Sequence, residues 1–290
     1  MLRIVIKATQ ILTVILLFLF SLISNAQQLE NSLLWKVSGK NISKPSYLFG
    51  TMHLICNPTL SDKALKALDE TSQLYLEIDM SEEPNIIEEA KDFFMEDNQS
   101  IKDMISKEDY ESLDLFFQKY MKINMELIHD VKPINITYLL FPYLLGCNAE
   151  SIESELLRVT KEQQEATFGL ESSEDHKKVV SDLSYPEQLI DLVELTKKDD
   201  ETIKIETQKM VETYLEEDIE AMYLESMEGK ENEEFKKVML NNRNKKWIPV
   251  IEKAMKEKPT FFGFGAAHLA GDEGVIKLLR KLGYKVEPIK

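Results

Sequence analysis

The chain has 290 residues, of which 43% are hydrophobic, and its formal net charge at pH 7 is −16. This length and apolar content are enough for a sizeable core in one large domain or two small ones. A surface with so much negative charge repels phosphate groups, so the composition excludes nucleic acid as a partner.

Residues 1–26 have the pattern of a secretory signal peptide. Arg3 and Lys7 give a basic start, residues 11–23 are almost wholly apolar, and a run of small residues ends at Ala26. An uncleaved anchor is the alternative, but the apolar run is short for a membrane helix, which needs about 20 residues. We therefore expect cleavage after Ala26 and a periplasmic or secreted protein with no membrane anchor.

Two short strands, residues 33–37 and 47–50, are predicted to form a hairpin around a turn at Gly39. Ser61 is a suitable N-cap for the helix that follows, and residues 73–78 form the next apolar strand. The chain thus begins with strands joined by a helix, the unit from which α/β folds are built.

The middle of the chain is mostly helical and acidic, because apolar residues recur there at spacings of three and four. This pattern predicts helical insertions over about 82–165 and 184–258. Between the two insertions, residues 166–171 form a predicted short buried strand that ends in the carboxylate of Glu171.

The C-terminal segment repeats the order of the N-terminal one. Strand, G-x-x-H, helix and strand follow each other over residues 46–78 and again over residues 260–289. We therefore predict that residues 27–290 form a single α/β domain. Its mixed central sheet would come from two β-α-β halves, with helices around it and a large helical insertion between the halves.

The histidines of the two G-x-x-H sequences, His53 and His268, are the first candidates for a functional site. Each follows a strand at its carboxyl edge, where ligands bind in open α/β sheets. The preceding glycines, Gly50 and Gly265, would let the backbone approach a ligand or take a positive φ. An isolated histidine or glycine in such a place is more often an ordinary core or turn residue, and the repetition favours a function.

Two carboxylates and an arginine complete the candidate set. Glu77 lies in an otherwise apolar strand, where a charge is costly unless it is paired or bound to a metal; the alternative is an edge strand with one wet face. Glu171 could be a ligand, orient a histidine or begin a helix. Arg243, one helical turn before Trp247, could pair with these carboxylates or with a substrate anion, or form a solvated salt bridge.

His53, His268 and Glu77 are a suitable ligand set for one divalent metal ion with open positions. Nitrogen and oxygen ligands do not fix which metal binds. The sequence has no H-E-x-x-H, no G-x-S-x-G and no Walker A motif, which argues against those enzyme classes. Cys56 and Cys147 form either one disulfide or two buried free thiols.

These motifs together resemble the TraB/GumN family, which includes the Tiki proteins. The resemblance covers nearly all of the mature chain. It rests on both G-x-x-H motifs, Leu76-Glu77, Gly169-Leu170-Glu171, Arg243-Asn244 with Trp247, and the block from Gly265 to Gly274. It implies an α/β fold related to erythromycin-esterase-like and ChaN-like proteins.

The resemblance also implies an activity, because Tiki proteins are metal-dependent proteases that use manganese or cobalt to trim secreted proteins. Carried over by position, His53, Glu77 and His268 are the metal and catalytic residues, and Glu171 and Arg243 line the site. Ile134 departs from the family pattern, which often has tryptophan there. The C-terminal membrane anchor of the Tiki proteins has no expected counterpart here.

We therefore expect an extracytoplasmic metallopeptidase that acts on peptides or secreted proteins with manganese or cobalt, with zinc as an alternative. Arg243 would stabilise the oxyanion that forms at the peptide carbonyl. A metal-independent esterase-like hydrolase with histidine as base is the second hypothesis, and a non-catalytic protein that binds or sequesters peptides is the third. Both enzyme hypotheses require that the two histidines and Glu77 meet in the fold.

Overall fold

The computed structural model describes residues 29–80, 86–227 and 236–290, so the predicted signal peptide lies outside the described residues. The described residues form eight strands: β1 Leu34–Ser38, β2 Ser46–Thr51, β3 Ile55–Cys56, β4 Gln73–Leu76, β5 Ala149–Glu150, β6 Ala166–Gly169, β7 Phe261–Gly265 and β8 Lys285–Pro288. Six of them make one sheet in the order β6-β4-β7-β2-β1-β8, and β3 pairs with β5 in a separate small sheet.

Eleven α-helices occur in the described parts of the chain. They are α1 Asp62–Asp69, α2 Ile86–Phe93, α3 Lys107–Met121, α4 Pro133–Leu145, α5 Ile152–Glu162, α6 Ser173–Ser181, α7 Tyr185–Thr196, α8 Asp200–Leu215, α9 Ile219–Glu225, α10 Asn242–Glu257 and α11 Val275–Lys281. Ser61 caps α1, as the sequence predicts, and Ser151 caps α5 in the same way, because each hydroxyl accepts a backbone N–H that the first helical turn leaves free. A π-helical turn over Lys237–Asn241 leads directly into α10.

The structure confirms the predicted α/β class, because it has a mixed central sheet and two β-α-β halves. β2, α1 and β4 form one half, and β7, α11 and β8 form the other. The halves interleave, because β7 lies between β2 and β4 and pairs in parallel with both. β1 runs antiparallel to its neighbours β2 and β8, which makes the sheet mixed.

This interleaving places the carboxyl ends of β2 and β7 side by side. Gly50 pairs with Phe264 and Thr51 pairs with Gly265 in the parallel ladder. The two G-x-x-H motifs therefore leave the sheet at the same edge, next to each other.

The two predicted helical insertions share a core of their own. Its buried side chains come from helices α3, α4, α7 and α8 and from the loops between them, and include Leu113, Phe117, Ile136, Leu140, Leu192 and Ile203. None of the helices in the described part of the chain combines the length and apolar character needed to span a bilayer.

Two strand predictions need correction. β4 ends at Leu76, so Glu77 lies one residue beyond the strand rather than within it. β6 is an edge strand with alternating exposure, whereas the sequence predicted a buried one. Phe168 on β6 is 39% exposed.

Cys56 and Cys147 form a disulfide, which is one of the two alternatives that the sequence allows. Beside it, Cys56 pairs with Ala149 in the small sheet of β3 and β5. The disulfide joins residues 91 positions apart. It thereby ties the loop that follows β2 to the segment that leads into α5.

Candidate active site

The edge of the sheet brings three predicted site residues around one point. A Cβ atom built on Gly265 would lie 3.3 Å from Oε1 of Glu77, 3.7 Å from Cδ2 of His268 and 3.8 Å from Nε2 of His53. The missing side chain of Gly265 leaves this space open. The two histidines and Glu77 therefore meet, as both enzyme hypotheses require.

The glycines of the two motifs have different purposes, and neither has a positive φ. A Cβ atom on Gly50 would lie 2.9 Å from Cβ of Ala266 and 2.9 Å from Cδ1 of Leu269. Gly50 thus lets the turn after β7 pack directly on β2. Gly265 instead leaves room among the site residues themselves, so close approach is the reason for glycine at both positions.

His53 is held by a glutamate that the sequence analysis did not single out. Its Nδ1 lies 2.8 Å from Oε1 of Glu153, and Oγ1 of Thr51 donates to the same oxygen at 2.7 Å. Burial disfavours the charged imidazole, but the hydrogen bond and charge of Glu153 outweigh it and raise the pKa of His53 to about 9. A cation at Nε2 would therefore have to displace a proton from His53.

Glu153 begins α5 and is almost completely buried, whereas the side chain of His53 is 47% exposed. Burial would raise the pKa of Glu153, but its hydrogen bond to His53 and the charge of that imidazole lower it. The second oxygen, Oε2, has no hydrogen-bond partner among the described residues. The carboxylate is thus committed to orienting His53.

His268 is buried and held by neutral partners. Asn244 donates through Nδ2 to the carbonyl oxygen of Glu273 at 2.9 Å, so its Oδ1 accepts from Nδ1–H of His268, 2.6 Å away. The ring of Trp247 packs on the imidazole, with ring centroids 4.5 Å apart. Burial lowers the pKa of His268 to about 3, which leaves it neutral with a lone pair on Nε2.

Arg243 links the two predicted carboxylates. Its Nη2 donates to Oε2 of Glu77 and, at 2.7 Å, to Oε1 of Glu171. Oε1 of Glu77 accepts from the backbone N–H of Gly265 at 2.8 Å. Burial alone would raise the pKa of Glu77, but the charges of Arg243 and His53 and the hydrogen bond from Gly265 hold it far below its usual range. Glu77 is therefore ionised, and its Oε1 faces the space beside Gly265.

The guanidinium of Arg243 is buried beneath these residues. Its Nε also donates to Glu171 at 3.0 Å, and its Nη1 lies 3.4 Å from Nε2 of His268. Trp247 stacks on the guanidinium and donates its Nε1–H to Glu171 at 3.0 Å. This placement favours a role in orienting Glu77 over direct contact with a substrate.

His176 joins the site, although the sequence alone gives it no catalytic part. Its Nδ1 lies 3.0 Å from Oε1 of Glu171 and 3.2 Å from Nη2 of Arg243. Glu77, Glu171 and His176 offer potential metal-ligand atoms within 4.8 Å of one another. However, each of the three bonds to the same Nη2, so the guanidinium fills the place that a metal ion would need.

His53, Glu77 and His268 are the metal ligands that the sequence predicts, and Nε2 of His268 lies 3.8 Å from Oε1 of Glu77. Each imidazole is oriented at Nδ1 by an oxygen atom, from Glu153 or from Asn244, and this is how metal-binding histidines are usually held. Nε2 is then the nitrogen of each ring that could bind a cation, and in His268 it also lies 3.4 Å from Nη1 of Arg243. Two imidazole nitrogens and one carboxylate oxygen suit manganese, cobalt or zinc.

Glu153 and Asn244 could have been found from weaker signals. Pairing the two cysteines would have brought the segment after Cys147 beside the loop that carries His53, and Glu153 is the acidic residue that begins the next helix. Asn244 follows Arg243 directly, and in the sequence it stands out only as part of the Arg243-Asn244 motif. The fourth histidine, His129, contacts Ser100 at 3.1 Å in the helical insertion.

Comparison with known proteins gives one match. The model of the TraB/PrgY/gumN family matches residues 33–288. No significant match occurs among curated proteins or among solved structures. The matched span includes both G-x-x-H motifs and every residue of the site described above.

Proposed function

The chain belongs to the TraB/PrgY/gumN family, and we propose that it is an extracytoplasmic hydrolase that cleaves peptide bonds with the help of a divalent metal ion. The observation that carries this proposal is the open space beside Gly265, bordered by His53, Glu77 and His268. Manganese or cobalt is the expected metal by resemblance to the Tiki branch, with zinc as an alternative.

A divalent cation at these three side chains would polarise a peptide carbonyl and lower the pKa of a bound water. The chain itself supplies the orientation. Glu153 fixes the ring of His53 at the exposed side, and Asn244 fixes the ring of His268 at the buried side. The exposed side of His53 is where a substrate can approach from solvent.

Arg243 supports the site from below in this proposal. Glu77 and Glu171 would repel each other if the guanidinium did not lie between them. Arg243 is therefore a positioning residue, because it keeps Glu77 ionised and oriented. Stabilisation of a substrate oxyanion by Arg243 would require one of its buried N–H groups to leave a present partner.

A metal-independent hydrolase is the second candidate. It is favoured by the fact that Arg243 and Gly265 already satisfy both oxygens of Glu77 without a cation. Of the two imidazoles, His268 would then be the one with a lone pair on Nε2, although its pKa of about 3 makes it a weak base. His53, with a pKa of about 9, carries a proton at neutral pH.

We propose the extracytoplasmic location on two grounds. The signal-peptide pattern over residues 1–26 is one. The disulfide between Cys56 and Cys147 is the other, since such bonds persist in oxidising compartments and are rare in reducing ones.

Elemental analysis combined with a peptide-library digest tests the proposal. Purified residues 27–290 should carry about one metal ion per chain, lose cleavage on chelation and regain it with Mn²⁺, Co²⁺ or Zn²⁺. Cleavage that is indifferent to chelation would favour the metal-independent hydrolase with His268 as base. Peptide binding with neither metal nor cleavage would leave the non-catalytic hypothesis.

A further inference from the structure

A cleft opens beside the site, between the end of α2, the start of α4, α6 and the start of α7. Its volume is about 640 Å³, within the range of roughly 300–1,000 Å³ that is usual for ligand-binding pockets. Phe93, Ile134, Tyr138, Val180 and Leu183 are among its lining residues. The proposed catalytic residues do not line it, so it needs an explanation of its own.

Two side chains join the cleft to the site. Tyr138 lines the cleft, and its ring centroid lies 6.3 Å from that of His53. His176 lines the cleft too, and it contacts Glu171 and Arg243 at the base of the site. A molecule bound at the site can therefore continue into the cleft.

Two helix faces lead from the site into the cleft. On α4, Tyr138 stands at the site and Ile134 lies one turn further along; on α6, His176 and Val180 are related in the same way. Residues four apart share a helix face and are separated by about 6 Å along the axis. Two residues of an extended peptide span about the same length, at roughly 3.3 Å each.

Several polar groups around the cleft are paired with one another. The side chain of Gln188 accepts from the backbone N–H of Ile134 at 3.2 Å and donates to the carbonyl oxygen of Leu183 at 2.9 Å. At the rim, Asp92 and Lys177 form an ion pair. The surface left to contact an occupant is therefore mainly apolar.

We propose that this cleft binds a bulky apolar side chain of the peptide substrate, about two residues from the bond that is cleaved. The inference rests on the proposed peptidase function, because continuity with that site identifies the substrate as the occupant. The cleft would thus set sequence preference, while the residues around Gly265 perform the chemistry.

Binding of labelled peptides tests this inference without turnover. Three dodecapeptides in a Gly/Ser/Thr background, identical except for Phe, Ala or Glu at the central position, are titrated against chelated protein by fluorescence anisotropy. We expect the Phe peptide to bind about tenfold more tightly than the Ala peptide, because a buried ring removes more apolar surface from water. We expect the Glu peptide to bind most weakly.

Val180→Trp should fill the cleft and abolish the preference for Phe. Lys178→Trp is the matched control, since it places the same ring on an exposed position of the same helix and should keep the preference. Replacing the central Phe by photoreactive benzoylphenylalanine gives a second measurement that needs no variant. Crosslinks should map to α4, α6 or α7 residues that line the cleft.

Equal binding of the three peptides, a Phe preference that survives Val180→Trp in folded protein, or crosslinks only outside the cleft would each overturn the inference. The proposed function fails separately. A clear Phe preference without cleavage by the metal-loaded protein would count against the peptidase and leave the cleft assignment standing. Cleavage without any Phe preference would overturn the cleft assignment alone.

Discussion

His53 and His268 end two copies of the same motif, yet their surroundings differ. The His53 side chain is 47% exposed and pairs with the carboxylate of Glu153. The His268 side chain is 5% exposed and pairs with the amide of Asn244. The pKa of His53 is consequently raised to about 9, whereas burial lowers that of His268 to about 3. The repeat therefore supplies one charged, accessible imidazole and one neutral, buried imidazole.

The difference comes from the segments that supply the partners. Glu153 begins α5, a helix within the first predicted insertion, and the disulfide of Cys56 and Cys147 ties that insertion to the loop of His53. Asn244 lies on α10, which directly precedes β7 in the chain. The shared motif thus fixes where each histidine stands, and the attached helices decide its charge.

The largest expected effects come from removing each imidazole in turn. His53→Ala should lower peptide cleavage by a factor of about 10³ or more without unfolding the protein, because the residue is half exposed. His268→Ala should abolish cleavage and also destabilise the fold by about 1–3 kcal/mol, because Oδ1 of Asn244 is left buried without its donor. Turnover and urea denaturation of both variants measure this.

The control for both variants is His129→Ala, which removes a histidine in the helical insertion and should keep full turnover. Unchanged activity of His53→Ala would show that the site is assigned to the wrong residues.

Arg243 lies between the buried carboxylates of Glu77 and Glu171, and its loss should destabilise the fold. In Arg243→Leu, Glu77 and Glu171 stay buried without their counter-charge, and we expect the free energy of unfolding to fall by about 3–5 kcal/mol at pH 7. Arg158→Leu is the control, because that arginine also pairs with two glutamates but is exposed. Similar denaturation midpoints for the two variants would contradict a buried charge network.

Loss of the disulfide should disturb the surroundings of His53 and leave those of His268 unchanged. Exchanging Cys56 and Cys147 together for serine should lower the free energy of unfolding by about 2–4 kcal/mol, because a long loop is no longer closed in the unfolded chain. Cleavage should also slow, since the start of α5 is less firmly held beside His53. Reduced wild-type protein should behave like the double variant, and wild-type stability that is insensitive to reductant would refute the bond.

The elements near the site could be predicted because their signals are local. Apolar spacing and the glycine before each histidine indicated β2 and β7, and the rule that ligands collect at carboxyl edges placed His53 beside His268. The carboxylate of Glu77 was found because a charge in an apolar stretch needs a partner. The family resemblance of the same motifs is confirmed by the match over residues 33–288.

The partners of these residues depend on packing between distant segments, which periodicity does not report. Glu153 is one of many acidic residues in the helical part of the sequence. It lies beside His53 because the disulfide between Cys56 and Cys147, 91 positions apart, holds the start of α5 next to the loop that carries His53. The contact of His176 with Arg243, 67 positions away, depends on packing in the same way. Its contact with Glu171 is local, because the turn into α6 separates the two residues by only five positions.

The pH dependence of stability gives the finest test of the comparison. In chelated protein the folded-state pKa of His53 is about 9, above its ordinary value of 6.5. The resulting stabilisation is complete below pH 6.5 and is lost as the pH rises through 9. Because His53 is half exposed, we discount the shift for solvent and expect a loss of about 1 kcal/mol across this window, measured by urea denaturation.

Glu153→Gln should remove most of this pH dependence, since glutamine can still accept from Nδ1–H of His53 but carries no charge. Glu150→Gln, an exposed position in the same segment, should retain the dependence of the wild type. The measurement must stay above pH 6.5. Below that pH, His268 binds a proton in the unfolded chain but stays neutral in the folded protein, so the free energy of unfolding falls as the pH is lowered. A stability profile between pH 6.5 and 9 that is the same in Glu153→Gln and wild type would mean that Glu153 does not set the charge of His53.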